Sequence, residues 1–272
     1  MLALETVTLR AGAAEAWLAP GRGGLCTRLA LDGEPVLFLD EATLADPAKN
    51  VRGGVPVLFP IAGKLAPDRL PGASAPLAQH GFARNLPWTV LAADPDRAVL
   101  GLEATPATRA AYPHDFALRY TYALEGGALT LTQRFENRGA AAMPIQPGLH
   151  PYFAVADKAG ARVASGATVA WDNVAGARVA FAADALRLDA GEVDLHLLDH
   201  DTAGTRLTRP GARDVVLAWS GDQRVLVVWT LPGRPFVCVE PWSAPANALQ
   251  AGGATLVPPG GAHESWLRVS LA

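Results

Sequence analysis

Cysteine is scarce. The 272 residues hold two, Cys26 and Cys238, in apolar strand-like stretches with no CxxC or metal-ligand spacing around them. That excludes a disulfide-stapled scaffold or a zinc ribbon and leaves two buried, reduced thiols as the expectation. Long apolar runs are missing too, and none reaches the roughly 20 residues a membrane-crossing helix requires. The opening MLALETVTLRAG lacks the basic region, apolar core and small-residue cleavage site of a secretory signal, so a cytoplasmic location is expected. Positive charge is not in excess: 23 Lys and Arg stand against 26 Asp and Glu, a formal net charge of −3. Nucleic acid and anionic membranes are poor partners for such a surface. No GxSxG elbow, P-loop, dinucleotide fingerprint or HExxH arrangement occurs, which removes the common hydrolase, nucleotide and zinc-protease signals. Helical periodicity is also absent, because Pro and Gly interrupt the Ala-rich stretches before three turns can form.

What is present is period-two alternation. In FALRYTYAL, Phe116, Leu118, Tyr120, Tyr122 and Leu124 share one face. After Glu125-Gly126-Gly127, the stretch ALTLTQRFEN places Leu129, Leu131 and Phe135 together. The pair reads as a β-hairpin with one wet face. RVLVVWTL and FVCVE flank LPGRP, a second strand-turn-strand signal. Similar pieces recur from LETVTLR to SWLRVSL with no linker, repeat or charge run between them. The prediction is all-β: a single domain over 1–272, built as a large antiparallel β-sandwich. Residues 40–85 are irregular and rich in Pro and Gly, and long loops of that kind tend to carry function.

Four segments set ionisable side chains in apolar or turn-forming sequence. VRGGVPVLFPIAGKL holds Arg52, which alone reads as a surface arginine in a tight loop. QHGFAR holds His80 and Arg84, with Phe82 between them as an anchor. PGLHPYF fixes His150 between two prolines, either as a buried histidine satisfied by a carbonyl or as a general acid in need of a partner. FVCVEPWSAPANAL puts Phe236, Cys238 and Glu240 on one face of a strand that Pro241 is expected to end. A carboxylate among apolar residues is costly unless it is paired or used. HLLDHD contains His196, Asp199, His200 and Asp201 but no third ligand cluster accompanies it, and it reads as a solvated turn. His114 and His263 read as ordinary loop residues.

Taken in order, RGGVPVLFP with GKL, QHGFAR, GLHPYF and VEPWSAPANAL resemble the aldose 1-epimerase (galactose mutarotase-like) family, over residues 52 to 249. That family is a large antiparallel β-sandwich, which agrees with the independent strand reading. The resemblance implies a cofactor-independent isomerase that interconverts sugar anomers, with no metal, nucleotide or covalent intermediate. Carried over by motif, Glu240 would be the base, His150 the acid and His80 a second histidine holding hydroxyls or stabilising charge. Arg52 would bind a sugar oxygen or an anionic substituent, and Asp194 in GEVDLHLL would be a substrate-binding carboxylate. Trp242 would either stack on a sugar face or fill the core. RGGVPVLFP and HGFAR look like the hexose-6-phosphate mutarotase branch, whose two motif arginines correspond to Arg52 and Arg84. EPWSAPANAL looks more like the epimerases of uncharged sugars, and Arg84 could instead brace its loop. The expected partner is therefore a small sugar or sugar phosphate, with an uncharged aldohexose placed first, a hexose 6-phosphate second and non-catalytic carbohydrate binding third. Oligomeric state is not legible.

Overall fold

A computed structural model describes residues 5–272. The alternating segments form two eight-stranded antiparallel sheets whose apolar faces share one core. One sheet runs in the order Arg162–Val163, Gly204–Thr208, Val215–Trp219, Ala262–Leu271, Ala128–Asn137, Phe116–Glu125, Arg97–Glu103, Thr89–Ala93. At its centre is the expected hairpin, in register from Phe116 opposite Asn137 to Glu125 opposite Ala128. Gly126 and Gly127 turn it with φ of 56° and 68°, the left-handed values that a two-residue hairpin turn demands. Phe116, Leu118, Tyr120, Tyr122, Leu124, Leu129, Leu131 and Phe135 are all buried on the inner face. Each side chain of that size stabilises the fold by about 1.5–3 kcal/mol when fully removed from water.

The second sheet runs Ala177–Ala180, Val169–Asp172, Val193–Leu197, Val225–Thr230, Phe236–Trp242, Gly148–Leu149, Val57–Leu58, with Tyr152–Ala154 also paired to Phe236–Trp242. Its odd and even residues part cleanly. Leu195, Leu197, Leu226, Val228, Val237, Val239, Leu149 and Phe153 belong to or pack on the shared core, so their neighbours must point away from it. A four-stranded sheet of Val7–Ala11, Ala14–Ala19, Leu25–Leu31 and Glu34–Pro35 adds Leu9, Leu18, Leu29 and Leu31 to the same core.

The irregular section 40–85 lies beside the second sheet and is held by specific bonds. Asp40 caps the short helix Glu41–Ala45 by accepting from the Ala42 and Thr43 amides. Arg22 donates to the carbonyls of Leu44, Thr43, Asp46 and Lys49, each at 3.0 Å. Two expectations need correction. Pro241 does not end its strand, which continues to Trp242 with Pro241 opposite Leu226. The lost donor is tolerated because Pro241 lies opposite Leu149, the last residue of the short strand Gly148–Leu149, where pairing with that neighbour stops until Tyr152–Ala154. His263 is not in a loop but in the strand Ala262–Leu271, its Nε2 2.7 Å from Asp222. Cys26 and Cys238 are buried and unpaired, as expected.

Candidate active site

On the outward face of the second sheet, period two brings Cys238, Glu240 and Trp242 to one side of the strand Phe236–Trp242. The neighbouring strands add Val227 and Trp229, then Asp194 and His196. Tyr152 pairs with Cys238 and Gly148 with Trp242, and the same register sets His150, in the break between them, opposite Glu240. His150 Nε2 lies 3.4 Å from Glu240 Oε1, and Trp242 Nε1 donates to Glu240 Oε2 at 3.1 Å. The sequence PGLHPYF explains the placement. The His150 amide donates to the Pro56 carbonyl at 3.0 Å, and the imidazole stacks on Tyr152 at 4.7 Å with planes 10° apart. Gly148 is needed because a Cβ there would come 2.7 Å from Trp242 Cδ1.

Burial governs the charge state of this pair. Glu240 is 1% exposed, and loss of water pushes its carboxyl well above the ordinary range, with Asp194 adding to the rise and Trp242 and Arg84 opposing it. Burial likewise drives the His150 imidazole down, to about 3, with Arg84 adding to the fall. Both groups are driven toward their neutral forms. At 3.4 Å they can hold one proton between them, as acid and imidazole or as carboxylate and imidazolium.

The loop layer closes over this floor. His80 has a left-handed φ of 65°. Its amide donates to the Gly63 carbonyl at 2.7 Å, and its Nδ1 accepts from the Gly63 amide at 3.0 Å. The neutral ring therefore carries its proton on Nε2, which lies 3.2 Å from Gln79 Nε2, itself a donor, and so has a proton to offer to an acceptor in the cavity. Burial first, then the charge of Arg84, holds this imidazole well below its usual range and keeps it neutral. Its ring meets those of His150 and Trp242 edge-on at 5.7 and 5.6 Å. Gly81, next in the chain, also has a left-handed φ, 69°, and a Cβ there would lie 2.0 Å from the Phe59 carbonyl oxygen. Arg84 donates to the Gln79 carbonyl at 3.1 Å while its buried Nε has no partner among the described residues. Arg52 is fixed through its backbone, which bonds Thr43 Oγ1 at 2.9 Å and the Asp40 amide at 2.8 Å, leaving an exposed guanidinium.

Asp194 lies on the strand Val193–Leu197 and accepts from Asn173 Nδ2 at 3.0 Å. Burial raises its carboxyl. The same Asn173 nitrogen is 2.8 Å from His196 Nε2. This corrects the reading of HLLDHD as a solvated turn. His196 is buried in a strand, its ring 4.8 Å from that of Trp242, and burial lowers it to about 4. The signal was in VDLHL, where Asp194 and His196 alternate with Val193, Leu195 and Leu197. His200 is buried as well, against Trp219, and Asp199 binds Thr168. Asn173, Tyr152 and Trp229, also missed, carry no polar signal strong enough to stand out.

Glu240, His150, His80, Arg52, Arg84, Asp194 and Trp242 thus all line one cavity of about 510 Å³. Residues 5–270 match the aldose 1-epimerase family. The chain belongs to that family. A protein from Synechocystis sp. PCC 6803 superposes with a TM-score of 0.94 at 35% identity, covering 98% of this chain and 96% of that one. A Cenchrus ciliaris protein provisionally named a glucose-6-phosphate 1-epimerase is 30% identical over 269 residues, 88% of this chain and 78% of the relative. A galactose mutarotase-like protein from Lactobacillus casei shares the fold at 23% identity and a TM-score of 0.76, covering 98% of this chain and 100% of that one. In this aldose 1-epimerase family member the cavity is graded in charge. Arg52, Lys64 and Arg84 come from the loop layer, Glu192 and Asp194 from the sheet side, and Glu240 with His150 from the floor.

Proposed function

We propose that the protein is a mutarotase that interconverts the α and β anomers of an aldohexose, with Glu240 as base and His150 as acid. The observation that carries this reading is the 3.4 Å approach of a buried imidazole to a buried carboxylate in the wall of a sugar-sized cavity. The Glu240 carboxylate takes the proton of the anomeric hydroxyl while the His150 imidazolium protonates the ring oxygen. The C1–O5 bond breaks as C1=O1 forms. Rotation about C1–C2 presents the other carbonyl face, and the roles then reverse: the His150 imidazole takes the proton of the O5 hydroxyl as O5 attacks C1, and the Glu240 carboxylic acid protonates O1 as the ring closes. Each contributes about 10²–10⁴-fold by general acid–base catalysis. Burial opposes the ionised pair, so the proton transfers of ring opening run toward the neutral pair that the cavity favours and those of ring closing run against it. His80, donating through Nε2, holds a sugar oxygen, and Asp194 with His196 accepts or donates to ring hydroxyls. Trp242 forms the apolar floor.

For the sugar, a hexose 6-phosphate moves ahead of an uncharged hexose, reversing the order suggested by the motifs. What supports this is Arg84, a largely buried guanidinium with no carboxylate in contact among the described residues. Arg52 and Lys64, likewise without ion pairs, line the same cavity. The fork of a guanidinium suits a phosphate. The name of the Cenchrus ciliaris relative points the same way. A non-catalytic binder would have no use for a buried carboxylate facing a buried imidazole, an arrangement that costs stability.

Anomer exchange measured by NMR with purified protein tests both parts. Exchange above the spontaneous rate, faster with glucose 6-phosphate than with glucose or galactose, is the expected result. Faster exchange of uncharged sugars would overturn the substrate, and no acceleration with any aldose or its phosphate would overturn the enzyme.

A further inference from the structure

The reaction above has no use for Cys238, yet it sits two residues from Glu240 on the same face of the same strand. His150, Cys238 and Glu240 are all buried, and each offers a ligand atom within 4.8 Å of the other two. We propose that these three side chains form a binding site for a thiophilic divalent cation, Zn2+ foremost, and that the ion stops turnover by occupying the acid/base pair.

The donor set is thiolate, imidazole and carboxylate, which suits Zn2+ and its analogues Cd2+ and Co2+ and is wrong for Mg2+ or Ca2+, which want oxygen alone. Spacing agrees. Tetrahedral zinc with bonds of roughly 2.0–2.3 Å sets its ligand atoms about 3.3–3.8 Å apart. His150 Nε2 and Glu240 Oε1 are already 3.4 Å apart, and the remaining separations close with a side-chain movement of about 1 Å. All three come from neighbouring strands or the tight turn between two of them, where side chains are held more firmly than on a long loop. Charge agrees too. Zn2+ binds as the Cys238 thiol gives its proton to solvent and the Glu240–His150 pair gives up the one it shares, and thiolate, carboxylate and neutral imidazole then make an uncharged buried centre. Glu240 and His150 line the cavity whereas Cys238 does not, so the fourth position faces the cavity and takes water or a sugar oxygen. Loss of turnover rests on the acid/base reading above; binding of the metal does not.

The test titrates the full chain with Co2+, whose bond to a thiolate gives a charge-transfer absorption in the near ultraviolet. The expected result is a band that Zn2+ abolishes, that excess Mg2+ leaves alone and that Cys238→Ala lacks. In anomer exchange, Zn2+ should inhibit the wild type reversibly, with chelator restoring the rate. Cys238→Ala, active in chelator, should need about 100-fold more zinc or beyond, since even outer-shell changes cost 10–100-fold in metal affinity. No thiolate band in the wild type would overturn the site, and that result does not depend on how any variant folds. Equal zinc inhibition of wild type and Cys238→Ala would overturn it as well. A band without anomer exchange on any sugar would uphold the metal site and sink the mutarotase reading instead.

Discussion

Replacing Glu240 by glutamine preserves the shape of the side chain and an oxygen to accept from Trp242 Nε1, but removes the proton acceptor opposite His150. With the base gone, exchange should fall about 10²–10⁴-fold, which is about 3–5 kcal/mol of barrier. Stability should move the other way. Burial raises the Glu240 carboxyl well above its usual 4.5, so above that value the folded state holds a proton that the unfolded chain has released. Unfolding then becomes easier as pH rises from 4.5 through the raised folded value, at up to about 1.4 kcal/mol per pH unit. Glutamine carries no such slope. The histidines act oppositely. His150 and His196 are lowered from 6.5 to about 3 and about 4, so the stability they contribute is complete above 6.5 and lost as pH falls toward those values. Glu240→Gln should therefore melt at or above the wild type at neutral and mildly alkaline pH, while its acid limb stays the same. The assay is a pair of measurements, NMR anomer exchange and a melting series across pH. A variant that exchanges within fivefold of wild type (about 1 kcal/mol), or that melts several degrees lower at neutral pH, would make Glu240 a structural residue and refute the reasoning.

Arg84→Gln should raise KM for glucose 6-phosphate about ten- to a hundredfold, the worth of one charge-assisted hydrogen bond, with little change for glucose; equal losses on both sugars would make Arg84 a brace for the Gln79 carbonyl. Asn173→Ala removes the contacts to Asp194 and His196 and should raise KM by roughly tenfold or less with kcat nearly unchanged, so a fall in kcat like that of Glu240→Gln would place Asn173 closer to the chemistry. Gly81→Ala forces a Cβ to 2.0 Å from the Phe59 oxygen at a left-handed φ and should cost more than about 1 kcal/mol. It should also disturb His80, read as a lower Tm and slower exchange; an unchanged Tm would mean that the turn relaxes freely.

The sandwich was legible because a half-buried sheet writes its geometry into every second residue, as Phe116 to Leu124 show. The same rule reached the site only where a polar residue broke an apolar row strongly enough to be noticed. Glu240 did so among Phe236, Cys238 and Trp242. His196 did so in VDLHL, but its proximity to Asp199, His200 and Asp201 disguised a strand as a turn. Pro241 misled for a related reason. A proline ends a ladder only if the partner strand is intact beside it, and whether the partner is broken depends on residues 148–152, about ninety positions away in sequence.

Cross-strand register is the part that local pattern cannot supply. His150 and Glu240 become a pair only because Tyr152 meets Cys238 and Gly148 meets Trp242, and a shift of one residue would turn either side chain into the core. The prolines at 147, 151 and 241 and the glycine at 148 are the local devices that make this register affordable: they interrupt the ladder at the one place where two ionisable groups must face each other. On that argument the turn PGLHPYF and the strand end VEPW are halves of a single feature. A substitution that restores a regular strand on either side, such as Pro151→Val, should abolish exchange at small cost in Tm. Retained exchange in that variant would show that the interrupted ladder is incidental to placing His150.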